Sequence, residues 1–268
     1  PRGAGGQGRG GPVPRGAPGD VLPAADAAQN AARVVREELD LALVRAVEAA
    51  ARGLLAELGR DMALLEGTGV GVVHFDVMDG CFCPMTTIGP PIVKAVQTSM
   101  LKDVHLMIEA PLHKVADHVA AGADMVTVHL ESERYARRTL VELAAMENVN
   151  DPARGIVAGV ALLPGTPIAA VEPVLDLADY VLVLAVDPGW GGQRFGAPTP
   201  ERVAELRGLI ESSGRDVLVG VDGGVTKANI GEVAATGADL IVTGSAVFDG
   251  VDPDTNARFM LDALDGLA

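Results

Sequence analysis

His74-Phe75-Asp76-Val77-Met78-Asp79-Gly80 follows the apolar run Val70-Gly71-Val72-Val73 and ends on an Asp-Gly turn signal. The run reads as a short buried strand, and alternate side chains of a strand share a side. His74 and Asp76 therefore project one way, and Val73 and Val77 the other. An imidazole and a carboxylate side by side at a strand's exit suit a metal or a proton transfer. Taken alone, they equally suit a polar pair that caps a strand.

Downstream, similar runs recur. Strand candidates are Val70–Asp76, Asp103–Met107, Met125–His129, Ile156–Leu162, Tyr180–Val186, Val217–Asp222 and Leu240–Thr243. Helix candidates lie between and after them: Pro91–Ser99, Leu112–Ala121, Arg134–Met146, Ile168–Leu177, Pro200–Ser212, Lys227–Ala235 and Pro253–Leu267. The repeat is that of βα units. The turns Thr68-Gly69-Val70, Ala121-Gly122-Ala123 and Thr236-Gly237-Ala238 place glycine where a helix hands over to a strand. Residues 24–66 read as helix, rich in Ala, Leu, Glu and Arg, with no clear strand. The expected fold is an α/β (β/α)8 TIM barrel whose first strand is atypical or degraded. An open doubly wound sheet is the alternative, but no G-x-G-x-x-G follows a first strand.

Composition agrees. The 268 residues are 49% apolar and only 3% aromatic, as a parallel sheet built from Val, Leu, Ile and Ala and buried on both faces requires. A net charge of -15 argues against a basic nucleic-acid face. It leaves room for a phosphorylated ligand held by backbone N–H groups. No apolar run approaches the roughly 20 residues that span a bilayer. Cys81 and Cys83 are too close for an ordinary disulfide and too few for a structural zinc site. A reducing, cytoplasmic location is expected. Residues 1–25, rich in Gly, Pro and Arg, read as a disordered leader, weakly compatible with a transit segment. Residues 26–268 read as the barrel with a helical N-terminal extension.

In such barrels chemistry sits at the C-terminal ends of the strands. The polar residues there are His74, Asp76, His105, His129, Asp187, Asp222 and Gly244-Ser245. His74, Asp76, His105 and Asp222 form a plausible ligand set for one divalent cation, Zn, Mn, Co or Fe(II). Asp187-Pro188-Gly189-Trp190-Gly191-Gly192-Gln193, Asp222-Gly223-Gly224 and Gly244-Ser245 are glycine-rich loops at the last three strand ends, where this architecture cradles phosphate. His129 reads as a histidine that supports the ligands or fills the core, not as a fifth ligand. His113 and His118 read as exposed helical residues, and no role is assigned to the cysteines.

These motifs resemble those of the ribulose-phosphate 3-epimerase family. The matching stretches are 74–80 with Phe82, Pro84 and Thr87-Ile88-Gly89-Pro90-Pro91; Asp103-Val104-His105-Leu106-Met107-Ile108-Glu109; and Val128-His129. Further on come Pro188-Gly189-Trp190-Gly191-Gly192-Gln193-Arg194-Phe195, Val221-Asp222-Gly223-Gly224 and Gly244-Ser245-Ala246-Val247-Phe248, so the likeness covers roughly residues 60–250. It implies interconversion of D-ribulose 5-phosphate and D-xylulose 5-phosphate. His74, Asp76, His105 and Asp222 would bind the metal, and Asp76 and Asp222 would be the acid/base pair. His105, Gly189, Trp190, Gly191, Gly192, Gly223, Gly224, Gly244 and Ser245 would contact substrate, Met78 and Met107 would cap the metal, and the chain would form a homo-oligomer.

The chain departs from the family pattern in places. The segment Ala51–Leu55 carries Arg52 where a first strand bears a substrate-facing serine, Cys81 replaces a histidine and Met85 an asparagine. Leu184 stands for a third capping methionine, and Asp187 for an asparagine, as in relatives acting on six-carbon ketose phosphates. The alternatives are therefore a D-allulose-6-phosphate 3-epimerase or a non-catalytic sugar-phosphate binding barrel. A decarboxylase of the orotidine type is opposed by Met78, where its D-x-K-x-x-D motif needs lysine.

Overall fold

Alternation of β-branched strands with short amphipathic helices produces a closed ring of parallel strands. The structure is a computed structural model that describes residues 33, 35, 44–48, 58–250 and 252–265. Its strands are β1 (Val44–Glu48), β2 (Val72–Met78), β3 (Leu101–Met107), β4 (Met125–His129), β5 (Val157–Leu162), β6 (Tyr180–Leu184), β7 (Leu218–Asp222) and β8 (Leu240–Thr243). Each pairs with the next, and β8 returns to β1. The connecting helices are α1 (Leu58–Leu65), α2 (Pro90–Ala95), α3 (Val115–Ala120), α4 (Ala136–Ala144), α5 (Thr199–Ser213), α6 (Ile230–Ala234) and α7 (Pro253–Asp265). Among the described residues no helix is long and apolar enough to cross a membrane.

Three expectations need correction here. Reading 24–66 as helix missed β1, because Arg45, Ala46 and Glu48 favour helix and outweigh Val44 and Val47 locally. Pairing on both edges, Ala46 with Val72 and with Val242, overrides that preference. The segment Ala51–Leu55 and the leader 1–25 lie outside the described residues. His118 was expected to be exposed but is buried. Val115, His118 and Val119 make the inward stripe of α3, and the imidazole Nδ1–H donates to Lys114 O at 2.9 Å. The connection read as helix Ile168–Leu177 is instead a 3-10 turn, Ile168–Val174; Pro173 within it lacks the N–H a regular helix would use.

The core has two layers. Phe75, Val104, Leu106, Val126, Val160, Val181, Val219 and Ile241 face the helices. Inside the ring, Val72, Leu101, Met125, Val157, Leu218 and Leu240 fill the N-terminal half. Tyr180 plugs the lumen above them. A Cβ on Gly220 would stand 2.0 Å from the Tyr180 hydroxyl, and one on Gly159 3.0 Å from its ring, so small residues on β7 and β5 make room for it.

The N-terminal rim is tied by three aspartates in Ala-Asp pairs. Asp124, Asp179 and Asp239 precede β4, β6 and β8, and each accepts the N–H of a residue at the start of the preceding strand: Lys102 at 2.8 Å, Ala158 at 3.0 Å and Val219 at 2.7 Å. Arg154 pairs with Asp124 and Arg207 with Asp239. Burial pushes the Asp179 carboxyl up to about 8. With the lumen filled below, a cavity opens at the C-terminal mouth.

Candidate active site

Strand register assembles the site. On β2, His74, Asp76 and Met78 share the lumen side with Val72, and pairing with β3 sets His74 beside Asp103, Asp76 beside His105 and Met78 beside Met107. Asp222 is the last residue of β7 and pairs with Leu184. One donor atom from each of His74, Asp76, His105 and Asp222 lies within 4.8 Å of all the others. His74 Nε2 is 3.2 Å and His105 Nδ1 3.0 Å from Asp76 Oδ1, while His105 Nδ1 is 3.9 Å from Asp222 Oδ2. Donors at about 2.0–2.2 Å from a shared ion would be about 3–4.4 Å apart; the three distances of 3.0–3.9 Å fall in that range, and the 4.8 Å outer limit of the set lies a few tenths of an ångström beyond it.

The polar atoms suit a single cation. His74 Nδ1 lies 2.7 Å from Asp103 Oδ2, which assigns the proton to that side. His74 Nε2, the other ring nitrogen, is buried and faces the cluster, 3.2 Å from Asp76 Oδ1 and outside hydrogen-bonding geometry. Such an atom is costly unless something fills it. His105 Nε2, on the far side of its ring, meets His129 Nε2 at 2.9 Å, and His129 Nδ1 meets Glu131 Oε2 at 3.1 Å. His129 thus backs a ligand and does not join the set.

The two carboxylates have opposite tendencies. Burial works to raise Asp76, but the His105 and His74 imidazoles against it hold it well below the usual carboxylate range. Burial, reinforced by the charge of Asp76, pushes Asp222 up to about 7. Burial pushes His105 down to about 4, whereas for His74 the Asp103 carboxylate outweighs burial and raises the imidazole well above its ordinary value. Carboxyl groups whose environments drive them apart are suited to separate base and acid roles.

Asp76 and Asp222 open onto a cavity of about 760 Å³, and His74 and His105 are wholly buried behind them. All the glycine-loop residues expected to contact a ligand line this cavity: Gly189 to Gly192 with Trp190 among them, Gly223-Gly224 and Gly244-Ser245. Trp190 sits at the rim, 61% exposed. Gln193 ties its loop by donating to the carbonyls of Asp187 and Trp190. Glycine is required where these loops meet. Gly223 and Gly224 have φ of 104° and 71°, and a Cβ on Gly224 would stand 2.3 Å from the backbone nitrogen of Phe195. Met78 and Met107 pack with Cys83 and, partly buried, Phe82 and Met85; the three methionines and Leu184 form the apolar wall. Cys81 and Cys83 are free thiols.

Sequence reasoning missed Asp103 and Glu131. Asp103 was accessible, since it lies two residues before His105 and so on the same side of β3. Met85 was noted only as a departure, yet it joins the methionine wall.

The ribulose-phosphate 3 epimerase family model matches residues 42–248. The chain is 42% identical over 201 residues to the chloroplastic ribulose-5-phosphate-3-epimerase of Arabidopsis thaliana, covering 74% of this chain and 69% of that one. It is 42% identical over 200 residues to the ribulose-phosphate 3-epimerase of Escherichia coli (strain K12), covering 74% and 85%. Among solved structures, KGPDC from Streptococcus mutans superposes with a TM-score of 0.61 over 84% of this chain and 98% of that one. At 15% identity that likeness is one of fold alone.

Proposed function

We infer from its membership of the ribulose-phosphate 3-epimerase family, to which this chain belongs, that it interconverts D-ribulose 5-phosphate and D-xylulose 5-phosphate. The observation that carries the mechanism is the convergence of Asp76 and Asp222, one held ionised and one pushed up to about 7, at the mouth of a closed barrel.

The C3 proton of a 2-ketose is acidic because the C2 carbonyl delocalises the charge left behind. Inversion needs a base on one face of C3 and an acid on the other. Asp76, kept ionised by its two histidines, suits the base. Asp222, pushed up by burial and by the charge of Asp76, suits the acid that returns a proton from the opposite face. In the reverse direction the roles exchange. His74, Asp76, His105 and Asp222 would hold one divalent cation, a reading supported by their spacing and by the orphaned His74 Nε2. The mixed N and O set is compatible with Zn, Mn, Co or Fe(II). Such an ion supplies stabilisation of the negative charge that develops on the C2 oxygen.

The remaining residues bind and shield. Met78, Met85 and Met107 keep bulk water from the reacting carbon. Backbone N–H groups of Gly189 to Gly192, Gly223-Gly224 and Gly244-Ser245 would grip the phosphate, with Trp190 completing the substrate contacts; His105, expected to touch substrate, is wholly buried behind the carboxylates and would serve the cation alone. Phosphate binding remote from C3 contributes to holding the carbon between the two carboxylates. The free thiols suit a cytoplasmic, reducing location. Self-association into a homo-oligomer belongs to the same proposal. The helices α1 and α7 pack together, and Leu64 on the first and Phe259 on the second expose apolar surface that would serve it; light scattering measures the mass.

The test is conversion of ribulose 5-phosphate by the purified full chain, with allulose 6-phosphate in parallel. Xylulose 5-phosphate should form, activity should vanish on chelation, and one equivalent of a divalent cation per chain should restore it. A cation-saturated chain that returns ribulose 5-phosphate unchanged would overturn the proposal.

A further inference from the structure

We propose that the N-terminal rim of the barrel carries a second ligand site, a cleft in which Lys102 and Lys94 bind the phosphate group of a small anion. The inference stands apart from the catalytic reading, because the cleft lies at the opposite end of the strands from Asp76 and Asp222.

The cleft has a volume of about 660 Å³ and is walled by the segments that lead into β2, β3, β4 and β5. Lys94 joins it from the last turn of α2. Lys102 is the residue that calls for an explanation. Leu101 takes the lumen side of β3, so Lys102 lies on the helix side, and it is only 7% exposed. Its Nζ donates to Val93 O at 3.0 Å and forms no ion pair among the described residues. An ammonium has three hydrogens to place, and a buried charge is costly without a counter-charge.

The acids nearby are already committed. Asp124 is the one carboxylate in the wall, and its Oδ1 accepts from Asn148, Asn150 and Arg154 at 3.0–3.1 Å while Oδ2 takes the Lys102 N–H. Glu66, at the margin, is taken by Thr98 and Ser99. Arg154 and Asp124 offset each other, which leaves the two lysines as a local positive excess in a chain of net charge -15. There is room beside the buried one. Gly122 has φ of 99°, and the Cβ it lacks would stand 3.6 Å from Lys102 Nζ. With the guanidinium fork of Arg154 spent on Asp124, the cations left are point charges, which suit a tetrahedral oxyanion better than a planar carboxylate. The volume leaves space for a small organic body beyond the phosphate.

Amide nitrogen-15 spectra of the full chain separate this cleft from the catalytic mouth, since Gly71, Gly122 and Asn150 report on the rim and Gly191, Gly223 and Ser245 on the mouth. Inorganic phosphate should shift the rim amides saturably, with half-saturation on the order of 1 mM. Sodium chloride at matched ionic strength should not. Lys102→Met keeps the apolar stem and removes the charge, and should weaken the rim response at least about tenfold. Lys94→Gln, at an exposed position, should weaken it about two- to fivefold and decides the matter if Lys102→Met fails to fold. Glycerol 3-phosphate in parallel distinguishes the sources: tighter binding than phosphate supports an ester as occupant, and equal binding supports free phosphate. Rim amides that ignore phosphate, that respond equally to chloride, or that keep the wild-type half-saturation in the folded variants overturn the inference.

Discussion

Replacing Gly224 by alanine tests the glycine-loop architecture in a way that can be worked out beforehand. The residue has φ of 71°, and a Cβ there would stand 2.3 Å from Phe195 N, 2.6 Å from Phe195 Cα and 2.8 Å from Arg194 C. All three are backbone atoms, so no rotamer relieves the clash. Ordinary contact needs about 3.5 Å, so the 194–195 segment must retreat by about 1 Å. A non-glycine residue in the left-handed region adds a cost of about 1–2 kcal/mol. The displaced segment ends the loop from Asp187 to Phe195 that walls the cavity. A misplacement of about 1 Å can cost about 100-fold in rate, equivalent to about 2.7 kcal/mol. Gly224→Ala should therefore lower kcat/KM for ribulose 5-phosphate about 100-fold and weaken inhibition by inorganic phosphate in parallel. Metal content should stay at the wild-type level. Gly208→Ala is the control: it lies in α5 with nothing within 4 Å of its would-be Cβ, and should stabilise by about 0.5–1 kcal/mol. Gly224→Ala with kcat/KM within about threefold of wild type and unchanged phosphate inhibition would refute the cradle.

Further expectations concern the carboxyl groups. Asp222→Asn removes the proton that Asp222 is placed to return, so kcat should fall by about 10²- to 10⁴-fold, while phosphate inhibition stays within a few-fold of wild type; wild-type turnover would remove Asp222 from the chemistry. Asp179 bears on stability instead. Its folded-state pKa of about 8 lies above that of the unfolded chain, so the native state holds a proton that the unfolded state releases. Stability should then fall as pH rises from about 4 to about 8, by at most about 1.4 kcal/mol per pH unit. Asp179→Asn keeps an oxygen for the Ala158 N–H without the charge, and urea unfolding between about pH 5 and pH 8 should show a flatter slope than wild type. Parallel slopes would mean that another group dominates.

What could be read from the chain depended on how locally each feature is encoded. Alternation in Val72-Val73-His74-Phe75-Asp76 is local, so β2 and the shared side of His74 and Asp76 were legible. Repetition of the same pattern gave the barrel, and strand-end position then gathered His105 and Asp222. Glycines at three successive strand ends marked the loops. β1 was not legible, because Val44-Arg45-Ala46-Val47-Glu48 has the composition of a helix and becomes a strand only through its partners on either edge. His118 was misread because a stripe on a six-residue helix leaves too few turns to show its period. Glu131 escaped because its importance comes from Leu163 and Thr166, which reach it across the β4–β5 boundary.

The most direct measurement is hydrogen exchange on the substrate itself, with ribulose 5-phosphate and the wild-type, metal-replete chain in deuterated water, followed by carbon and proton spectra. Two carboxylates facing one carbon from opposite sides predict deuterium at C3, at no other carbon, appearing as xylulose 5-phosphate forms. Epimerised product that keeps its original C3 hydrogen, or label on C1 alone, would contradict them.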